Sequence, residues 1–175
     1  MDTAAPEKPA LKTLDPHSTA TASLDRYLSF SLGQEDYAIP LLAVREVIAV
    51  PEVTPIPFTP PYFLGIMNLR GQVISVLDLR QKFNIKPQAS SETAVIICDL
   101  SPLSLGVVVD SINSVLAPNP ADVAPKPEIQ SSKSSDYVTG VVKKDDRLIL
   151  LLDIARCLSS EDQAALNKTV QKKSA

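Results

Sequence analysis

One histidine, two cysteines, five glycines and no tryptophan occur in this 175-residue chain, whose aromatic fraction is only 5%. Each scarcity excludes a kind of chemistry. Cys98 and Cys157 cannot build a disulfide framework, and each sits in an apolar run where a thiol behaves as a small hydrophobe, which points to a reducing compartment. The lone histidine, His17, falls in a polar, proline-bearing stretch. The apolar part of the chain therefore holds no Cys/His ligand set for a metal and no histidine to act as base for a serine or thiol. Five glycines leave no phosphate-cradling loop. The acidic residues are scattered over turns and caps, with no two at a spacing that suggests a catalytic pair. No enzyme, metal or cofactor is expected, and the simplest reading is a binding module.

Two more classes fall to charge and run length. A formal net charge of −3 provides no concentrated positive field, and the few aromatics provide no stacking platform, so nucleic acid is not an expected partner. Apolar runs such as residues 148–152 are about five long, against ~20 for a bilayer-spanning helix, so no direct membrane insertion is expected. Met1-Asp2 opens without a basic region followed by an apolar core, which makes cytoplasm the expected address.

What the chain does contain is 45% hydrophobic residues, 15 prolines and a repeat. Residues 65–80 run from Gly65-Ile66-Met67 through the turn Asn68-Leu69-Arg70-Gly71 to an apolar strand that stops at Asp78-Leu79. Residues 140–154 keep the same order, so that Gly65 and Gly140, like Asp78 and Asp153, stand 75 positions apart. Val44, Val47 and Ile48 have counterparts 68 positions on in Ile112, Val115 and Leu116, which extends the duplication to the front of each unit. The copies differ at the turn, where Lys143-Lys144-Asp145-Asp146 reads as a solvated hairpin tip. Arg70, a cation on an apolar hairpin beside a glycine that lets another backbone approach, is a candidate contact residue.

In chain order, residues 1–25 read as a disordered tail. Leu28, Phe30 and Leu32 alternate with serines, as in a strand with one buried face, and residues 41–44 allow a helical turn before a strand at 44–50. Five prolines between Pro51 and Pro61 enforce an extended connector. The near-continuous apolar runs at 94–98 and 105–110 predict strands buried on both faces. Asp78 and Asp153 are placed to cap short helical turns. Residues 117–135, with four prolines, predict a long surface loop. Ser160, three before Gln163, has capping-box spacing for a short helix to about 170, with Leu158 as its staple and Lys168, Lys172 and Lys173 toward its negative end.

Taken together, several stretches resemble the family of the chemotaxis coupling protein CheW. They are residues 27–33, Tyr37-Ala38-Ile39 with Val44-Arg45-Glu46-Val47, Ile56-Pro57 with Thr59-Pro60, residues 65–71, Val76-Leu77-Asp78-Leu79-Arg80, residues 106–110 and residues 137–141. The likeness covers roughly residues 26–160, with a first repeat at about 27–83 and a second at about 94–158, leaving 161–175 as a short helix and tail. It implies an all-β fold of two intertwined five-stranded SH3-like barrels with short helical turns. It further implies a non-enzymatic adaptor that joins the cytoplasmic tip of chemoreceptors to the regulatory domain of a chemotaxis histidine kinase, recruited to receptor arrays. A related chemosensory system such as pilus-based motility is the alternative setting. The resemblance places Val44, Glu46, Val47, Asn68, Leu69, Arg70 and Gly71 in or near the receptor surface. In a mobility-shift titration across ~50–200 mM salt, no salt-sensitive binding to any oligonucleotide is expected, and such binding would overturn the exclusion of nucleic acid.

Overall fold

A computed structural model describes residues 25–88, 90–126 and 136–171. The expectations for the N-terminal tail with His17, for the middle of the 117–135 loop and for Lys172 and Lys173 lie outside the described residues. The first half of the chain forms β1 (Tyr27–Leu32), β2 (Glu35–Pro40), β3 (Val44–Ala49), β4 (Phe63–Leu69), β5 (Gln72–Asp78) and the single-turn helix α1 (Leu79–Lys82). The second half forms β6 (Ala94–Asp99), β7 (Ser104–Val109), β8 (Ser111–Leu116), β9 (Val123–Pro125), β10 (Val138–Lys144), β11 (Arg147–Leu152), α2 (Ile154–Cys157) and α3 (Ser160–Gln171). A 3-10 turn at Leu41–Ala43 leads into β3, as the residues there allow.

The strands form two sheets, ordered β8-β1-β2-β11-β10-β9 and β3-β6-β7-β5-β4. Each half of the chain gives its first hairpin to the sheet completed by the later strands of the other half. The seams are the two parallel pairings, β2 with β11 and β5 with β7. Neither half could complete a sheet alone, which is how two units too small to be stable separately share one fold. The sheets are not both five-stranded. Residues 123–125, expected to be loop, pair with Gly140, Val141 and Val142 as a sixth strand, after a 3-10 turn at Pro120–Asp122. At the corresponding place the proline-rich connector makes only the single bridge Thr54–Ile66.

Alternation along the strands sorts the apolar residues into three layers. Leu28, Phe30 and Leu32 of β1, Ala94, Ile96 and Cys98 of β6, and Leu105, Val107 and Val109 of β7 join a cluster of nineteen buried residues between the sheets. Val95, Ile97 and Val108 point the other way, into the six-residue cluster of the five-stranded sheet, so β6 and β7 are buried on both faces as their composition requires. The six-stranded sheet encloses Ala38, Leu116, Val142, Ile149 and Leu151. The serine face of β1 is partly covered: Ser29 is buried, and the half-buried Ser31 donates to Asp36.

Both aspartate caps form, Asp78 accepting from the Arg80 N–H and Asp153 from the Arg156 N–H. Asp78 also takes the Arg80 Nε and Nη2, while Arg80 Nη1 reaches Asp110, whose other oxygen accepts from the Gly33 N–H. Spacing along the chain hid this pairing of carboxylates, and a buried guanidinium fills the space between them. The capping box of α3 starts one residue earlier than the Ser160/Gln163 spacing suggests. The Asp162 N–H donates to Ser159 Oγ, and the Ser159 N–H donates back to Asp162. Asp162 also accepts from Lys82 Nζ at 2.6 Å and from the Tyr62 hydroxyl, which fastens the last helix to the first repeat beside the buried Leu166.

Close backbone approach occurs at Gly65, not at Gly71. A Cβ on Gly65 would lie 2.0 Å from the Thr54 carbonyl oxygen at φ +138°, whereas nothing lies within 4 Å of one on Gly71 at φ +84°. Gly65→Ala is therefore expected to destabilise by more than ~4 kcal/mol or prevent folding, and Gly71→Ala by about 1 kcal/mol; urea unfolding distinguishes them.

The Asp162 latch predicts a pH profile. Burial alone would raise the Asp162 pKa, but hydrogen bonds from Lys82, Tyr62 and Ser159 hold it below the ordinary 3.8. Burial alone would lower Lys82, but Asp162 holds it above its ordinary 10.5. The latch thus contributes fully between those two values, weakens as pH falls through the depressed Asp162 value, and weakens as pH rises through the raised Lys82 value. Asp162→Asn should lower the urea midpoint most at pH 7, and the difference from wild type should shrink at pH 3.

Candidate functional site

Strands β3 and β4 are the two ends of the five-stranded sheet, so the edge of β3 away from β6 has no strand beside it. The β4–β5 hairpin tip reaches over that edge. Its central residues, Arg70 and Gly71, both have positive φ, +52° and +84°, as the I′ turn that matches strand twist requires. The Gly71 N–H donates to Asn68 Oδ1 at 2.8 Å, fixing the turn from within. Asn or Asp is the usual occupant of the position Arg70 holds, and a left-handed arginine costs about 1 kcal/mol. A hairpin selected for stability alone would not carry it.

Arg70 Nη1 and Nη2 donate to the two carboxylate oxygens of Glu46 at 2.9 and 3.0 Å. The arginine side chain is 72% exposed and the glutamate 21%. An ion pair that wet adds at most about 1 kcal/mol, so its geometry, a bidentate pair displayed at a turn, matters more than its contribution to stability. Beside it, Arg45 Nη1 donates to Gln72 Oε1 at 2.8 Å. Of the seven residues predicted from the sequence, Glu46 and Arg70 touch, and Asn68 and Gly71 build the turn. Val47 is exposed next to Glu46. Val44 packs against the inter-sheet core, and Leu69 against the core of the five-stranded sheet. The Arg45–Gln72 contact was not foreseen. Arg45 falls at a shift in the β3–β6 register between Val44 and Glu46, and strict alternation cannot anticipate such a bulge.

The duplicate unit provides an internal comparison. Asp145 and Asp146, φ +48° and +60°, make its turn, and Asp145 takes the place of Arg70, while Ser114 takes the place of Glu46. An aspartate and a serine cannot form the corresponding ion pair. Instead, Arg147 turns to Asp36 at 3.2 Å, and Asn113, at the equivalent bulge, donates to Asp36 and Ser31. A cavity of about 210 Å³ opens there among Ser29, Ser31, Asp36, Asn113, Asp145 and Arg147. Val115 and Leu148 are 52% and 60% exposed on this side of the molecule.

The remaining reactive groups are sequestered. Burial pushes both thiols, Cys98 and Cys157, up to about 12, so neither supplies a thiolate at neutral pH. Among the described residues no three His, Cys, Asp or Glu side chains gather to hold a metal, and no helix is long and apolar enough to cross a membrane.

The chain is similar in sequence to proteins named chemotaxis protein CheW. It is 34% identical over 146 residues to the chemotaxis protein CheW of Klebsiella aerogenes, covering 83% of this chain and 88% of that one. It is 31% identical over 141 residues to the chemotaxis protein CheW of Treponema pallidum, covering 77% and 82%. The crystal structure of the scaffolding protein TtCheW from Thermoanaerobacter tengcongensis superposes with a TM-score of 0.72 at 29% identity, covering 79% of this chain and 94% of that one. Residues 26–162 match the profile of the CheW-like domain. With that match and relatives at 31–34% identity over most of their length, the chain belongs to the CheW-like domain family.

Proposed function

We propose that the chain is a non-enzymatic adaptor that couples chemoreceptors to a chemotaxis histidine kinase. The face that meets the cytoplasmic tip of a receptor comprises Val44, Glu46, Val47, Asn68, Leu69, Arg70 and Gly71. The observation that carries this reading is the Arg70–Glu46 clasp, an exposed bidentate pair held on a left-handed turn where stability favours another residue. Arg70 offers donors to a polar helix surface, and Val47 offers an apolar contact beside them. The exposed Val115 and Leu148, on the opposite unit, are suited to the kinase's own homologous regulatory domain. Membership of a family that includes a protein named for scaffolding supports the same reading. The adaptor would work in the cytoplasm and reach the membrane only through the receptor array.

Arg70→Glu places like charge against Glu46 and reverses the sign of the face. It is expected to abolish co-sedimentation with receptor-containing membranes and receptor-dependent kinase activation, while the thermal transition moves by no more than about 2 °C. Full kinase activation by this variant would overturn the assignment of the face.

A further inference from the structure

We propose that Arg45 and Gln72 are positioning residues for the receptor face, a second clasp that holds the β4–β5 tip so that Arg70 stays on Glu46. The proposal rests on the reading of that face as the receptor site. Period-two alternation would send Arg45 and Glu46 to opposite sides of β3. The register shift between Val44 and Glu46 removes Arg45 from the ladder with β6 and allows both side chains to reach one hairpin. Glu46 takes Arg70, and Arg45 takes Gln72, two residues further along the same tip. No backbone hydrogen bonds join β3 to β4. The two side-chain pairs are therefore the polar links across that gap that fix where Arg70 stands.

The other half of the molecule shows the arrangement without them. Its bulge residue, Asn113, and the residue at the Gln72 position, Arg147, both turn to Asp36, and a cavity of about 210 Å³ lined by Asp36, Asn113, Asp145 and Arg147 lies between edge strand and tip. The same fold with the clasps removed leaves the edge open. Where Arg45 and Gln72 close it, the tip is ordered before the partner arrives, and binding spares the cost of ordering it.

The test compares Arg45→Ala, Gln72→Ala, the double variant, Gln72→Glu and Arg70→Glu. Affinity is read by titration against vesicles carrying a chemoreceptor cytoplasmic fragment, and the Arg70 side-chain N–H resonances are followed by NMR. Each alanine variant is expected to weaken binding about 3- to 10-fold. The double variant should do no more than either single, because both remove one contact. The Arg70 resonances should broaden or shift toward the free-guanidinium position in all three. Gln72→Glu keeps the acceptor and should retain wild-type binding and resonances. If Arg70→Glu abolishes binding while both alanine variants bind as wild type, the positioning role is overturned and the receptor face stands. Additive losses in the double variant with unmoved Arg70 resonances would also overturn it, since Arg45 and Gln72 would then act separately. If Arg70→Glu binds as wild type, the receptor face itself falls, and the positioning role with it.

Discussion

The apolar layer between the two sheets is the constraint to which everything else is fitted. Nineteen buried residues lie there, against six and five inside the individual sheets, so most of the burial that holds the fold is common to both halves of the chain. Exchange of the first hairpins follows from this. A hairpin such as β6–β7, apolar on both faces, cannot end a sheet in water, and it is covered only when it lies between β3 and β5 with the second sheet on its other side. Phe30, Tyr37, Phe83 and Tyr137 run through the layer as neighbouring rings 4.8 to 6.2 Å apart, joining strands from both halves.

Because the interior is shared, the two outer edges were free to diverge. The first repeat closes its edge with Glu46, Arg70, Arg45 and Gln72, while the second leaves a cavity and directs Arg147 and Asn113 to Asp36. A duplicated fold with one closed polar edge and one open edge has two unlike surfaces, which suits the adaptor role proposed above. The latch of Tyr62, Lys82 and Asp162 and the buried trio of Asp78, Arg80 and Asp110 join the halves through other residues.

Patterns with a short period were legible before any coordinates. Alternation in β1, the continuous apolar runs of β6 and β7, the two aspartate caps and the 75-residue repeat each depend on neighbours a few positions apart or on plain likeness, and each is present in the structure. The turn at Arg70 was readable for the same reason. The capping box at Ser159 was misplaced by one residue because Ser159 and Ser160 are equivalent as local signals, and only the position of Lys82, distant in sequence, selects Asp162 as the return partner. Gly71 and Gly65 could not be told apart either. Both look like glycines demanded by geometry, yet only Gly65 has another segment's carbonyl against it.

The amino-acid order by itself determined the strand content, the duplication and the charged turn, because these depend on composition and on spacing within one strand or turn. Tertiary structure decided which hairpin joins which sheet, that the strand at Val123–Pro125 exists, that Arg45 meets Gln72, and that Asp78 and Asp110 share one arginine. Those outcomes depend on contacts between residues tens of positions apart, formed only when the common apolar layer draws the two halves together, and a linear pattern contains no record of which distant partner wins that competition.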